Sequence, residues 1–348
     1  MTMSPRRLVR GGLVTTAVLA AGMLTGGAAA AAPQPASAHI SGGTLFLSGT
    51  DGPDTIQLGP GADPAHVAVD LGAGAPAASF DRASFQAVSV ALGDGDDTFA
   101  VLPGSGLTQP VTADGDRGAD TITGGSGADT ISGGRGNDTL LGGDGNDLLL
   151  GGSGRDTVDG QRGTDTELLG SGRDLAVWLP GEGNDVIDGG RGRDTMQFVG
   201  AGINEQFALT AVGSGTLFTR DIGSIRMDMN RVEQVAVEAK GGADTVHIGD
   251  LSGTDLRRVD LDLSAVGVPD GQLDSVLLSG TDGADHVVVD AARGGVEVTG
   301  LQPRVFVSGA DTRDALQIST GNGNDRVNVS DAASALMAVT VDLGAGQP

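Results

Sequence analysis

The sequence predicts an all-β repeat protein with scarcely any helix, and three observations carry that expectation. Aspartates at 120, 129, 138, 147, 156, 165 and 174 keep a spacing of nine residues without a slip. Outside this array, stretches such as "VALGDGDDTFAV" (90–101) and "LSGTDGADHVVV" (278–289) place a Gly/Asp turn between two alternating strands. Finally, 61 glycines and an aromatic content of 3% leave little material for a large conventional core.

The chain opens on an address label. "MTMSPRRLVR" is basic, "GGLVTTAVLAAGMLTGGAAAAA" is apolar, and "PQPASA" ends in a small-x-small pattern at Ala36 and Ala38. Residues 1–38 are expected to be a secretory signal peptide cleaved after Ala38, which makes the protein extracellular and leaves no membrane span in the mature chain. The absence of cysteine fits an exported protein that does not rely on disulfides. A net charge of −24 repels phosphate backbones and anionic membranes and attracts cations, so nucleic acid is not an expected partner.

Residues 39–114 read as an N-terminal β-rich repeat region. "LSGTDGPDTIQL" (47–58) and "VALGDGDDTFAV" share one layout, with Asp54 and Asp97 43 residues apart. Asp54 and Asp97 are expected to be structural turn residues.

Residues 115–197 hold the array. In register the units are "GDRGADTIT", "GGSGADTIS", "GGRGNDTLL", "GGDGNDLLL", "GGSGRDTVD", "GQRGTDTEL" and "LGSGRDLAV". Trp178 and Leu179 intervene, and "PGEGNDVID" and "GGRGRDTMQ" resume the period with Asp185 and Asp194. Glycines permit positive φ and close backbone approach, so several carbonyl oxygens can converge while the aspartate adds charge. Ile122, Ile131, Leu140, Leu149 and Val158 should point inward, and Thr121, Thr130, Thr139 and Thr157 outward. Glu167 and Ala176 break the aliphatic position, which predicts a distorted roll there. Trp178 is expected to cover the break in the array.

With period, glycines, aspartate and aliphatic position agreeing together, the array resembles the hemolysin-type, or RTX, calcium-binding nonapeptide repeat. The resemblance implies a parallel β-roll flanked by the β-rich regions. Each unit would supply a six-residue turn and a three-residue strand, turn n stacking on turn n+2 with Ca2+ between them. The implied metal ligands are Asp120, Asp129, Asp138, Asp147, Asp156, Asp165, Asp174, Asp185 and Asp194, together with the turn glycines Gly118, Gly127, Gly136, Gly145 and Gly154. Calcium takes six to eight oxygens, which carbonyls and one short carboxylate per turn can supply. One buried aliphatic per unit contributes roughly 2–3 kcal/mol, whereas ordering nine residues costs about 1–2 kcal/mol each. The ion is therefore expected to drive folding.

Residues 198–348 form a C-terminal β-rich repeat region. "VEAKGGADTVHI" (237–248), "LSGTDGADHVVV" and "ISTGNGNDRVNV" (318–329) repeat the flanking pattern, with Asp285 and Asp325 read as structural turns. His247 and His286 are read as surface imidazoles.

Catalytic parts are scarce. No H-E-x-x-H and no G-x-S-x-G occurs, cysteine is absent, and the single lysine, Lys240, lies in no phosphate loop. "DGDRGADTITGG" from Asp114 fails the EF-hand pattern. The expectation is a secreted, non-enzymatic calcium-binding β-roll protein with a structural or adhesive role. The alternatives are a calcium-dependent polysaccharide-degrading β-helix enzyme and an ice- or surface-binding solenoid. Arg-Asp neighbours such as Arg155-Asp156 and Arg193-Asp194 are read as spread along the repeat rather than gathered in one cleft.

Overall fold

The computed structural model describes residues 35–72 and 77–344. These form two long sheets of 16 and 15 strands. Within the array, successive strands join alternate sheets. Thr130–Arg135, Leu148–Gly154 and Thr166–Gly172 lie in the first, and Thr139–Asp144, Thr157–Arg162 and Leu175–Trp178 in the second. Each pairs in parallel with the strand two units on, Ile131 opposite Leu149 and Leu140 opposite Val158. Two nonapeptides thus complete one coil of a parallel β-roll. The alternation buries Ile122, Ile131, Leu140, Leu149 and Val158 completely between the sheets.

Two expectations are corrected. From Thr130 to Gly172 the strands run six or seven residues rather than three, because the ladder continues through the leading residues of the next unit, Gly134 opposite Gly152, whereas Thr121–Thr123 and Val186–Asp188 keep three. The roll is also undistorted at Glu167 and Ala176. Glu167 pairs with Leu149 and Ile187, and Ala176 with Val158 and Met196, all in register. Ladder hydrogen bonds come from the backbone and tolerate a wrong side chain. Leu169, in a leading-glycine position, is buried and adds apolar volume beside them. Of the two inserted residues, Trp178 ends the strand Leu175–Trp178 opposite Phe198 and turns inward, and Leu179 lies outside the strands. Trp178 stacks on Phe198 at 4.2 Å, and its indole N–H donates to the Gly183 carbonyl at 2.9 Å.

The same two sheets continue past residues 114 and 197. Val111–Asp114 pairs with both Ala87–Ala91 and Thr130–Arg135, and Thr195–Val199 pairs with Gln234–Glu238. The flanks lengthen the coil by inserting antiparallel meanders, such as Gln206–Val212, Gly215–Arg220 and Ile225–Asn230. A short helix, Asp331–Ser334, tucks Ala333 into the core.

Most of the expected signal peptide lies outside the described residues. Ser37 and Ala38, beside its expected cleavage point, begin the edge strand Ser37–Ser41. No helix among the described residues is long and apolar enough to cross a membrane.

Candidate metal centre

Every array aspartate sits where a turn enters a strand, and one carboxylate oxygen is committed to the neighbouring coil. Asp138 Oδ1 accepts the Asp120 N–H at 2.9 Å, Asp156 Oδ1 that of Asp138, and Asp174 Oδ1 that of Asp156. Asp97 and Asp194 extend this row, which runs from Asp54 to Glu233 along one edge of the roll. On the other edge Asp129, Asp147, Asp165 and Asp185 make the equivalent row. Each hydrogen bond is the side chain's answer to a backbone N–H that the turn would otherwise leave unpaired.

The second oxygen separates the turns into two kinds. Oδ2 of Asp97, Asp120, Asp138, Asp147, Asp156, Asp165, Asp174, Asp194 and Asp244 is buried with no hydrogen-bond partner. Elsewhere a local group satisfies it. Thr50 donates to Asp54 through its backbone N–H and its hydroxyl, Thr281 N–H donates to Asp285, and the Thr320 hydroxyl to Asp325. At Glu205, Arg220 supplies a buried ion pair and Ala201 a backbone N–H. The second oxygens of Asp54 and Asp285 are thus satisfied locally, while Asp97 resembles the array. Asp129 is intermediate, its Oδ2 accepting the Gly125 N–H at 2.6 Å.

A cation fits the first kind of turn. A Cβ placed on Gly142 would fall 2.5 Å from Asp147 Oδ2 and 2.6 Å from the Gly160 carbonyl oxygen, so glycine holds open a cradle lined by oxygens of two coils. Gly115, Gly124, Gly133, Gly151 and Gly160 face their own aspartates in the same way. These leading glycines are residues that sequence reasoning missed; the signal was their first place in the G-G-x-G turn. Gly118, Gly127, Gly136, Gly145 and Gly154 instead stack in columns. A Cβ on Gly145 would lie 2.9 Å from Asp147 Oδ1, the hydrogen-bonded oxygen. Among the described residues no three acidic or histidine side chains converge on one point. Each cradle is one carboxylate with backbone carbonyls, a hard-oxygen set suited to calcium rather than to zinc or copper.

Burial raises the pKa values of these carboxylates. Asp120, Asp147 and Asp156 are pushed up to about 7 by loss of solvent and by the carboxylates of adjacent coils, against the lowering effect of the backbone N–H each accepts. Asp185 and Asp244 rise to about 7 for the same leading reason. Glu167, fully buried, is raised well above the ordinary glutamate range by burial and then by Asp185. His247 and His286 are exposed on strands, as expected.

Fold and donor set together define a parallel β-roll whose turns are built for a hard divalent cation. A family model described as the RTX calcium-binding nonapeptide repeat (4 copies) matches residues 46–63, 112–140, 133–167, 141–176 and 181–196. The array consists of RTX nonapeptide repeats, which bind Ca2+, and the chain is a calcium-binding β-roll protein. No curated protein matches it.

Proposed function

We propose that this is an exported structural or adhesive protein whose array, residues 115–197, folds when calcium occupies its turns. The observation that supports this reading best is the row of buried, unpartnered oxygens from Asp97 through Asp120, Asp138, Asp156, Asp174 and Asp194. Unpaired carboxylate oxygens stacked about 4.8 Å apart oppose folding, and bound calcium supplies the compensating charge. Asp120, Asp129, Asp138, Asp147, Asp156, Asp165, Asp174, Asp185 and Asp194 each offer one carboxylate, with leading-glycine carbonyls completing the shell. Asp97 and Asp244 add two turns of the same kind outside 115–197. Flanking regions 39–114 and 198–344 prolong the roll and present its outer faces. Residues 1–38 direct export to a compartment where millimolar calcium suffices even for weak sites.

A calcium titration followed by circular dichroism and calorimetry tests the reading. The chelated protein should lose much of its β signal and its protease resistance, and calcium should restore both cooperatively. Equal β signal and resistance in chelator and in calcium would overturn it.

A further inference from the structure

The residue just before each array aspartate alternates between the two edges of the roll. On one edge it is Ala119, Asn137, Arg155, Arg173 and Arg193; on the other it is Ala128, Asn146, Thr164 and Asn184. The coil therefore gathers the three arginines on one edge. Thr157 is opposite Leu175 and Leu175 opposite Thr195, so Arg155, Arg173 and Arg193 occupy the same place in three consecutive coils. They are spread along the repeat as expected, Arg155 lying outside the cleft that Arg173 and Arg193 share, but the spread follows a single edge.

All three are exposed, and none makes an ion pair, unlike Arg117, Arg226, Arg231 and Arg258. Their sequence neighbours Asp156, Asp174 and Asp194 point inward and are at most 1% exposed, so they do not neutralise the row. Asn137 pins its start by accepting the Arg155 backbone N–H at 2.8 Å. At the other end Arg173, Arg193, Thr195, Gln234 and Arg258 line a cleft of about 230 Å3. Its floor is fixed, since Asp260 accepts from both Arg258 Nε and Gln234 Nε2 at 2.6 Å.

We infer that this edge is a binding site for an acidic polysaccharide of the uronate type. Guanidinium forks match carboxylates in pairs, and the row offers one fork per coil, about 4.8 Å apart. The Thr195 hydroxyl and the Gln234 carbonyl oxygen can meet sugar hydroxyls beside the charges. A nucleic acid, with its dense and unbroken phosphate charge, would meet the field of a protein whose net charge is −24. A short uronate segment confined to the row would meet mainly the arginines.

The test uses the full chain loaded with calcium, and trigalacturonate as probe, followed by calorimetry and by NMR of the sugar. The parent should bind, and added salt should weaken binding. Arg155→Gln/Arg173→Gln/Arg193→Gln should bind about tenfold more weakly or worse, the effect of losing a few charge-assisted hydrogen bonds. Arg173→Lys should fall between. Calcium titrations of the same variants by circular dichroism should match the parent, which separates loss of this site from loss of the calcium-dependent fold. Arg162→Gln, on the opposite edge, and Arg313→Gln should bind like the parent. The inference is overturned if the parent ignores trigalacturonate, if it prefers sulfated or phosphorylated oligomers, or if the triple variant binds as the parent does.

Discussion

At the scale of single residues, the two oxygens of each array aspartate have different tasks. Oδ1 closes a backbone hydrogen bond to the adjacent coil, and Oδ2 faces a cradle. Asparagine keeps an acceptor for the first task and removes the charge needed for the second. Asp156→Asn should therefore lower calcium affinity about tenfold or more while leaving the fold of the loaded protein intact, whereas Asp54→Asn should leave the titration unchanged. Isothermal calorimetry of the two variants makes the comparison. The acidity constants add a pH dependence of definite sign. Asp120, Asp147 and Asp156 titrate near 7 when folded and calcium-free, above the ordinary aspartate value of 3.8. Their destabilising contribution is complete above the folded value and disappears below the unfolded one. Calcium-free protein should therefore gain stability as pH falls from about 8 to about 5, while protons competing for Oδ2 should weaken calcium binding over the same interval. Thermal melts with and without chelator should move in opposite directions. Glu167→Gln keeps the acceptor for the Gly160 N–H, so its melting temperature should exceed the parent's by a margin that grows with pH. The aspartates proposed to hold calcium were legible in the sequence because one register repeats them. The division between Oδ1 and Oδ2 was not, since each hydrogen-bond partner lies 18 to 23 residues away.

At the scale of elements, the flanks are the array's own coil interrupted by hairpins. The carboxylate row passes from Asp54 to Asp97 to Asp120 across separations of 43 and 23 residues, then settles to 18. From the sequence, the longer spacings look like a second repeat; in the fold they are the same step with a meander inserted. Hydrogen bonds from threonine and one arginine ion pair satisfy several flanking carboxylates locally, which a one-letter Gly/Asp pattern conceals. The clearest case is Glu205, paired with Arg220, whose guanidinium lies 5.5 Å from the centre of the Trp178 ring. This predicts a graded response to chelation. Hydrogen exchange should show protection lost across 115–197 but largely kept in the meander from Gln206 to Asn230. Arg220→Met should abolish that difference, because it leaves Glu205 buried and unpaired, a change that typically costs about 3–5 kcal/mol. Uniform exchange throughout the chelated parent would contradict the partition.

At the scale of the whole described molecule, two features set the limits of the fold. The open sheet ends are short or covered, with Ala78–Asp81 at one and Asp331–Ser334 packed near the other. Charge is the second limit, since a chain at −24 self-repels more as its carboxylates ionise. The all-β class and the parallel coil were legible because aspartate and aliphatic positions share one period. Continuity of the sheets through residues 114 and 197 was not, because inserted strands hide the step from any fixed-period reading. Alternation between sheets also imposes a parity rule on changes in length. Excising residues 142–159 removes one full turn of the coil and joins two equivalent points, so every downstream strand returns to its own sheet and the arginine edge stays on one side. Excising only 151–159 removes half a turn. Every later strand would then be assigned to the opposite sheet, the Gln206–Asn230 meander would emerge from the wrong face, and Arg173 would no longer follow Asn137. The longer deletion, which removes Asp147 and Asp156, should purify folded and still respond cooperatively to calcium with two fewer cradles, and the shorter one should aggregate. Lineages of such proteins should accordingly grow and shrink in even numbers of nonapeptides, with odd changes surviving only where no hairpin lies downstream to be misplaced.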